Sequence, residues 1–331
     1  MKKYAKRYLS LALSFALVFA IPFAFTQEAS AASKKGVKVY QPVQITETYN
    51  DGSVDTTTYV YDKNGFCTGL YYSSGSKRLS TYNKTGLVTA WTRYYKDGTV
   101  SSQGKNTIKK GKIAKEEYYD MDEGKLVLSS VTSYKYKKGK KSTETVTFPN
   151  SASTDILTYR SNGTRKKAIY STKTDYDVVT YDKKGNITSY VSKDLATGKI
   201  YKDQYKNTYK KGKLVKRVAT YVDTDGKVSQ GGTTTYSYKK GKLAKTVYTY
   251  TSTFDGGTYT DTTTTLYTFN KAGLLTRKVR TTIEVSPGKT TTSTKTTTIK
   301  YKKIKVPKKA KKNIKETMLE FTESFLPIQM R

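Results

Sequence analysis

The chain contains no histidine, one cysteine and one tryptophan, and only six of its 331 residues are proline. The absence of histidine removes the commonest general base and the usual partner of a serine or cysteine nucleophile. The single cysteine, Cys67, cannot form a disulfide within the chain, and a Cys/His metal site cannot be assembled. We therefore expect no catalytic, cofactor-binding or metal-binding residues.

Carboxylates remain as candidates for catalysis, because a pair of correctly spaced acids is enough to hydrolyse a glycan. Two groups of closely spaced acids are Asp120, Asp122 and Glu123, and Asp223 and Asp225. Both groups fall in recurring turns, where short acidic side chains usually hold the backbone. The sequence predicts a protein that is not an enzyme.

Residues 1–31 have the three parts of a secretory signal peptide. Four basic residues precede a largely apolar stretch from Leu9 to Phe25, and Ala29-Ser30-Ala31 is a small-residue cleavage site. This site favours cleavage over an uncleaved membrane anchor, and no later segment is apolar enough to span a membrane. The signal carries +4 from its basic residues and −1 from Glu28, so the mature chain keeps +32 of the formal +35.

One turn motif recurs nine times with a mean spacing of 26 residues. A bulky apolar residue, usually Tyr, precedes a glycine by three or four positions, as in Tyr61-Asp62-Lys63-Asn64-Gly65 and the tighter Tyr209-Lys210-Lys211-Gly212. Glycine supplies the positive φ that tight hairpins need. The repeat-turn glycines are Gly65, Gly86, Gly111, Gly139, Gly163, Gly185, Gly212, Gly241 and Gly273.

A second class of turn lies between several of these, as in Lys96-Asp97-Gly98 and Asp122-Glu123-Gly124. The segments between turns are rich in Thr, Tyr and Val, and the segment from Thr262 to Phe269 is β-branched or aromatic almost throughout, a composition typical of strands. Two strands per repeat predict an all-β chain of about 18 antiparallel strands. We expect an elongated, strongly twisted meander in hairpin repeats of roughly 26 residues, with a single layer polar on both faces as the alternative.

The two ends differ from the repeat array, which we assign to residues 57–306. Residues 32–56 are predicted to be a short lead, Ala32 to Val39, followed by a first strand. Residues 307–331 are predicted to be a basic hinge and one short amphipathic helix that caps the last open strand. A helix that binds a membrane surface or a partner is the alternative. Four apolar residues of this helix fall at helical spacing: Ile314, Met318, Phe321 and Phe325.

The motif Tyr181-Asp182-Lys183-Lys184-Gly185-Asn186-Ile187-Thr188, together with Tyr61 to Gly65, resembles the YD repeat of bacterial Rhs and teneurin-type proteins. The resemblance covers about residues 57–290, although only these two copies keep both Tyr and Asp, and the Arg usual beside the motif is missing. It implies β-hairpin sheets that wrap into shells or filaments. It also implies a carrier, an adhesin or a surface structure, with no chemistry in the repeat itself.

A weaker resemblance links Tyr59 to Gly69, and Trp91 to Gly104, with aromatic-glycine repeats that bind cell walls. Proteins of that family bind choline or glucan between Trp and Tyr side chains. Because Trp91 is the only tryptophan of the chain, few such sites can form. A carbohydrate-binding module that uses Tyr and Trp91 is therefore one alternative function.

Charge is distributed unevenly between the two classes of turn. Counted from four residues before each glycine to two after it, the nine repeat turns carry +19, whereas five turns of the second class carry −4. In a hairpin array, the repeat turns share one edge of the sheet, so this edge is predicted to be lysine-rich and to attract an extended polyanion. The candidate polyanion-binding residues are Lys109, Lys110, Lys112, Lys137, Lys138, Lys140, Lys210, Lys211, Lys213, Lys239, Lys240 and Lys242.

These observations predict a secreted protein, associated with a bacterial cell envelope, that binds an anionic cell-wall polymer such as teichoic acid or polysaccharide. No nucleic-acid-binding motif accompanies the charge, so no dedicated nucleic-acid partner is expected. Two other interpretations stay open. The lysines keep a long β array soluble and protect its edges, or the chain is a structural or adhesive scaffold that self-associates through its strand edges.

Overall fold

The computed structural model describes residues 36–254 and 257–326. The predicted signal peptide therefore lies outside the described residues. Twenty strands are followed by a 3₁₀ turn, Lys308–Ala310, and one helix, α1, Lys311–Ser324. The strands are β1 Gly36–Thr48, β2 Val54–Tyr61, β3 Cys67–Tyr72, β4 Lys77–Tyr82, β5 Val88–Tyr94, β6 Val100–Lys109, β7 Lys112–Asp122, β8 Lys125–Lys137, β9 Lys140–Phe148, β10 Ser153–Tyr159, β11 Arg165–Ser171, β12 Asp175–Tyr181, β13 Ile187–Asp194, β14 Ile200–Lys210, β15 Lys213–Val222, β16 Val228–Lys239, β17 Lys242–Phe254, β18 Gly257–Phe269, β19 Leu275–Ser286 and β20 Lys289–Pro307.

Each strand pairs antiparallel with the next one along the chain, and the last strand returns to the first. The register of this closing pair runs from Gly36 opposite Pro307 to Thr48 opposite Thr296. The predicted all-β antiparallel meander with one short C-terminal helix is confirmed. The sheet is however a closed barrel of 20 strands, so the predicted elongated, twisted arrangement of about 18 strands is wrong. Closure satisfies the backbone groups of both terminal strands, which an open sheet would leave exposed at its edges.

The N-terminal lead ends earlier than predicted, because the first strand already begins at Gly36. Gly36 to Val39 already belong to β1, where Val39 lies opposite Ile304 of β20. The segment has only four residues, and the partner that orders it lies more than 260 residues away in sequence. Pairing at that separation leaves no local signal.

Alternation along the strands separates an outer face from an inner one. In β14, Lys202 and Lys206 are exposed, whereas Tyr201, Tyr205 and Tyr209 are half-buried on the other side. Tyrosine suits such an inner wall because its ring packs while its hydroxyl stays hydrogen-bonded. The inner face of the barrel is therefore lined largely by aromatic rings and polar groups, and few aliphatic side chains form a core.

The wider repeat turns are built by an Asp or Asn side chain. In the first of them, Oδ1 of Asp62 accepts hydrogen bonds from the backbone N–H of Asn64 at 2.9 Å and of Phe66 at 2.8 Å. The ladder bulges just before the aromatic residue, between Val60 and Tyr61. Gly65 has φ +74°, and a Cβ there would lie 2.5 Å from the carbonyl oxygen of Lys305. Both the backbone angle and the close approach require glycine.

The tighter repeat turns have only two residues outside the ladder. Lys109 pairs with Lys112, and the intervening Lys110 and Gly111 have φ values of +49° and +70°. Two successive positive φ values match the type I′ hairpin turn, whose twist fits the flanking strands. The Lys-Lys-Gly sequence thus places a lysine in the left-handed region at each such turn.

Tyrosine hydroxyls tie successive repeats together. Tyr238 donates to the carbonyl oxygen of Leu214 at 2.8 Å, and Tyr301 donates to that of Leu275 at 2.9 Å. In each pair the acceptor comes two residues after the glycine of the preceding repeat turn. Tyr82 makes the equivalent bond to Cys67, at 2.7 Å. The recurrent Tyr of the motif is therefore a connector between hairpins.

The apolar core lies near the repeat turns, and α1 packs against it. One cluster contains Leu214, Leu243 and Leu275, each two residues beyond a turn glycine, and Phe321 and Phe325 pack on it. A second cluster is formed by Val39, Phe66, Val306, Ala310 and Ile314. Helix α1 has the predicted apolar face. It does not cap an open strand as expected, since β20 is paired on both sides.

Candidate functional site

The nine repeat turns lie together at one end of the barrel. Because every strand is antiparallel to its neighbours, alternate turns of the meander fall at the same end. We call this end the basic rim; it contains the turns of Gly65, Gly86, Gly111, Gly139, Gly163, Gly185, Gly212, Gly241 and Gly273. The described turns of the second class lie at the other end, the opposite end, together with those of Gly52, Gly75 and Gly288. The +19 and −4 counted from the sequence thus belong to different ends.

Closure changes the shape of the lysine array. The sequence predicted a lysine-rich edge of the sheet, and in the structure the nine turns of this edge form a ring around one end of the barrel. The strongest positive charge lies at the turn of Gly139, with +5, and at those of Gly111, Gly212 and Gly241, with +3 each. The ring is therefore not uniformly basic.

Nine of the twelve candidate lysines are exposed on the rim, and three are half-buried. The half-buried ones are Lys112, Lys213 and Lys242, whose Nζ atoms lie over the ring of the next repeat turn at 4.7, 5.0 and 5.3 Å from the centroid. A cation over an aromatic face stabilises the local packing. The exposed set is Lys109, Lys110, Lys137, Lys138, Lys140, Lys210, Lys211, Lys239 and Lys240.

Some rim lysines also bridge neighbouring turns through hydrogen bonds. Lys213 donates from Nζ to the carbonyl oxygen of Gly241 at 3.0 Å, and Lys112 donates in the same way to that of Gly139. Lys184, which the sequence did not single out, donates to Gly212 at 2.7 Å and lies 4.2 Å from the ring of Tyr209. Its position in a YD turn, one repeat before Tyr209, is the signal that would have identified it.

Acidic side chains gather on the inner wall. Asp155 and Asp177 flank Tyr170 across the ladder of β10, β11 and β12, and Glu144 lies on the adjacent strand β9. Burial, followed by the charges of Asp177 and Glu144, raises the pKa of Asp155 to about 6. Lys141 forms an ion pair with Glu144 at 3.0 Å. The inner wall in this sector thus differs in charge from the exposed rim.

Trp91 is buried inside the sheet and has no exposed surface. The guanidinium of Arg78 lies 4.9 Å from the centroid of its ring, and the ring of Tyr118 lies 5.8 Å away. A sugar cannot stack on this indole without displacing these side chains. The carbohydrate-binding alternative, which used Tyr and Trp91, therefore retains only the tyrosines.

The cysteine and the turn carboxylates, which are the other groups considered for catalysis, lie in surroundings that do not favour reactivity. Burial raises the pKa of the Cys67 thiol to about 11, which disfavours the nucleophilic thiolate. Asp223 accepts hydrogen bonds from the backbone N–H of Asp225 at 3.0 Å and of Lys227 at 2.8 Å, so it holds its turn. Asp122 and Glu123 are exposed in the turn between β7 and β8.

Within residues 36–254 and 257–326, no helix combines the length and the apolar character needed to cross a membrane.

No protein-family model matches the chain, and no curated protein matches it. Among solved structures, the crystal structure of TcdB2-TccC3-Cdc42 is similar at 14% identity and a TM-score of 0.37, over 71% of this chain and 14% of that one. Two porin-like proteins, from Bacteroides uniformis and Bacteroides vulgatus, are similar at 13% and 12% identity with TM-scores of 0.27 and 0.28. Each match covers 79% of this chain and 96% or 98% of the other.

The chain thus spans about a seventh of the length of the first of these structures. The resemblance to YD-repeat proteins therefore rests on the sequence motifs alone and stays a prediction. TM-scores this low carry no argument about function.

Proposed function

We propose that the protein is exported and binds an anionic polymer of the bacterial cell envelope, teichoic acid or acidic polysaccharide, through the basic rim. The observation that supports this proposal is the concentration of nine exposed lysines at one end of the barrel. A ring of like charges focuses the electrostatic potential and raises the local concentration of an extended polyanion. Binding and scaffolding, without catalysis, are the activities that we propose.

The chemistry of the rim favours loose contact over recognition of one sequence or one sugar. All nine exposed candidates are lysines, which act as compact, hydrated point charges and not as planar forks. Such contacts are screened within about 8 Å at physiological salt. Binding should therefore depend steeply on ionic strength.

Closure of the sheet weakens the main alternative. A scaffold that grows through strand edges needs unpaired edges, and every described strand has two ladder neighbours. Self-association would have to use other surfaces. The interpretation of the lysines as a solubility device makes a different prediction, namely that the rim has no preferred ligand.

Retention on purified cell walls tests the proposal. The mature chain, from Ala32, is compared with two variants that each lose four positive charges at exposed positions outside the left-handed region. The rim variant replaces Lys137, Lys140, Lys210 and Lys239 with Gln. The opposite-end variant replaces Lys125, Lys173, Lys199 and Lys227 with Gln.

We expect the mature chain to be released steeply between roughly 50 and 300 mM salt, and not to bind walls stripped of teichoic acid. The rim variant should bind about tenfold more weakly at low salt, since several charge contacts are lost together. The opposite-end variant should behave like the parent. Retention that ignores salt and stripping, no retention at all, or equal weakening of both variants would contradict the proposal.

A further inference from the structure

Closure of the barrel brings three of the four least basic turns of the rim next to one another. The turns of Gly65, Gly86 and Gly273 carry 0, +1 and +1, and they lie at the two ends of the linear array. In the ring, only the paired strands β20 and β1 separate the turn of Gly273 from that of Gly65. Considered alone, the repeat turns thus leave one weakly charged sector.

The C-terminal segment packs against this sector. Ala310 and Ile314 are buried against Phe66, and a Cβ on Gly86 would lie 3.2 Å from that of Ala310. Asn313 donates from Nδ2 to the carbonyl oxygen of Thr85 at 2.9 Å. The beginning of α1 is therefore held on the turns of Gly65 and Gly86 by apolar contact and by one specific hydrogen bond.

The segment brings a dense group of positive charges to this place. Five lysines lie within eight residues, and four of them are exposed: Lys308, Lys309, Lys312 and Lys315. Lys312 lies 3.8 Å from Glu316, but both side chains are well exposed, so this pair neutralises little of the charge. The half-buried fifth lysine is Lys311.

We infer that the segment from Lys308 to Lys315 is a further basic element of the rim and part of the binding surface for an extended polyanion. The inference rests on the proposed function and extends it. A polymer that follows the ring meets lysines on the repeat turns from Gly111 to Gly241 and then on the C-terminal segment. The sector that the repeat turns leave weakly charged thus receives positive charge from the end of β20, where Lys302, Lys303 and Lys305 are exposed, and from the C-terminal segment that follows it.

The test measures binding of long-chain inorganic polyphosphate to the mature chain at a series of salt concentrations. The C-terminal variant replaces Lys308, Lys309, Lys312 and Lys315 with Gln. It keeps Ala310, Asn313 and Ile314, so α1 should stay docked, and an unchanged thermal unfolding curve checks this. The rim variant and the opposite-end variant lose the same charge and serve as matched comparisons.

We expect the C-terminal variant to bind polyphosphate about tenfold more weakly than the parent at 50 mM salt, as the rim variant does, and with a shallower salt dependence. The opposite-end variant should bind like the parent. Parent-like binding by the C-terminal variant, with weakened binding by the rim variant, would overturn the inference and leave the proposed function standing. Failure of the parent to bind, or equal weakening in all three variants, would overturn both.

Discussion

The two ends of the barrel are made from the same hairpins, yet they differ in packing and in charge. At the basic rim, turn residues are tied to the next repeat by tyrosine hydroxyls, lysines lie over aromatic rings, and the leucines that follow the turns are buried. At the opposite end, large apolar side chains beside the turns are exposed, among them Val54, Tyr95, Ile200 and Val228. The comparison indicates that the more tightly packed end of the barrel is also the end with the greater positive charge.

The largest expected effect concerns the core behind the rim. Leu275 has no exposed surface, whereas Val228 at the opposite end is 65% exposed. Leu275→Ala should lower the free energy of unfolding by about 3 kcal/mol, because it removes buried methyl groups and leaves a cavity. Val228→Ala should change it by less than about 0.5 kcal/mol. Urea unfolding of both variants measures the difference, and similar losses would mean that the ends are equally packed.

Substitution of turn glycines compares how much each end of the barrel depends on the conformation of its turns. Gly65→Ala should lower the free energy of unfolding by on the order of 2 kcal/mol. The new Cβ would clash with the carbonyl oxygen of Lys305, and alanine disfavours the positive φ at this position. Gly98 at the opposite end has φ +87° and open space around it, so Gly98→Ala should cost only about 1 kcal/mol. The shift in the urea midpoint of each variant shows which substitution destabilises the protein more. A larger loss of stability in Gly98→Ala than in Gly65→Ala would refute the prediction.

Removal of a tyrosine hydroxyl tests the ties between repeats. Tyr238→Phe deletes the hydrogen bond to Leu214 and leaves that carbonyl without this donor, which should cost about 1 kcal/mol. Tyr95 is exposed at the opposite end and serves as the control, because Tyr95→Phe should be nearly neutral. Thermal unfolding of the two variants distinguishes them. An unchanged Tyr238→Phe protein would show that the tie contributes nothing to stability.

The smallest expected effect lies on the inner wall towards the opposite end. The pKa of Asp155 is raised from 3.8 to about 6, so the folded state holds its proton more tightly than the unfolded state does. Stability should therefore fall as pH rises from about 4 to 6 and stay lower above that range. Asp155→Asn should stabilise the protein by at most about 1 kcal/mol at pH 7, after allowance for partial exposure, and by nothing near pH 4. Urea titrations at the two pH values check the sign, and equal effects at both would contradict it.

Local chemistry explains why part of the fold was predictable. Gly65 and Gly111 mark turns because positive φ is a property of a few adjacent residues, and the β-branched and aromatic run from Thr262 to Phe269 favours a strand directly. Lys184 was missed because its role depends on Tyr209, one repeat further on. Trp91 was offered as a ligand-binding residue, although its burial under Arg78 depends on strand pairing that composition does not reveal.

The sequence by itself determined the strand period, the hairpin repeat, the separation of basic and weakly acidic turns, and the apolar face of α1. Each of these depends on residues close together in the chain, where backbone preference and side-chain spacing act directly. Only the tertiary structure decided that β20 pairs with β1, that the row of lysines becomes a ring, and that α1 lies on the turns of Gly65 and Gly86. These features join segments more than 200 residues apart, whose pairing is selected by the whole packed fold and not by any local pattern.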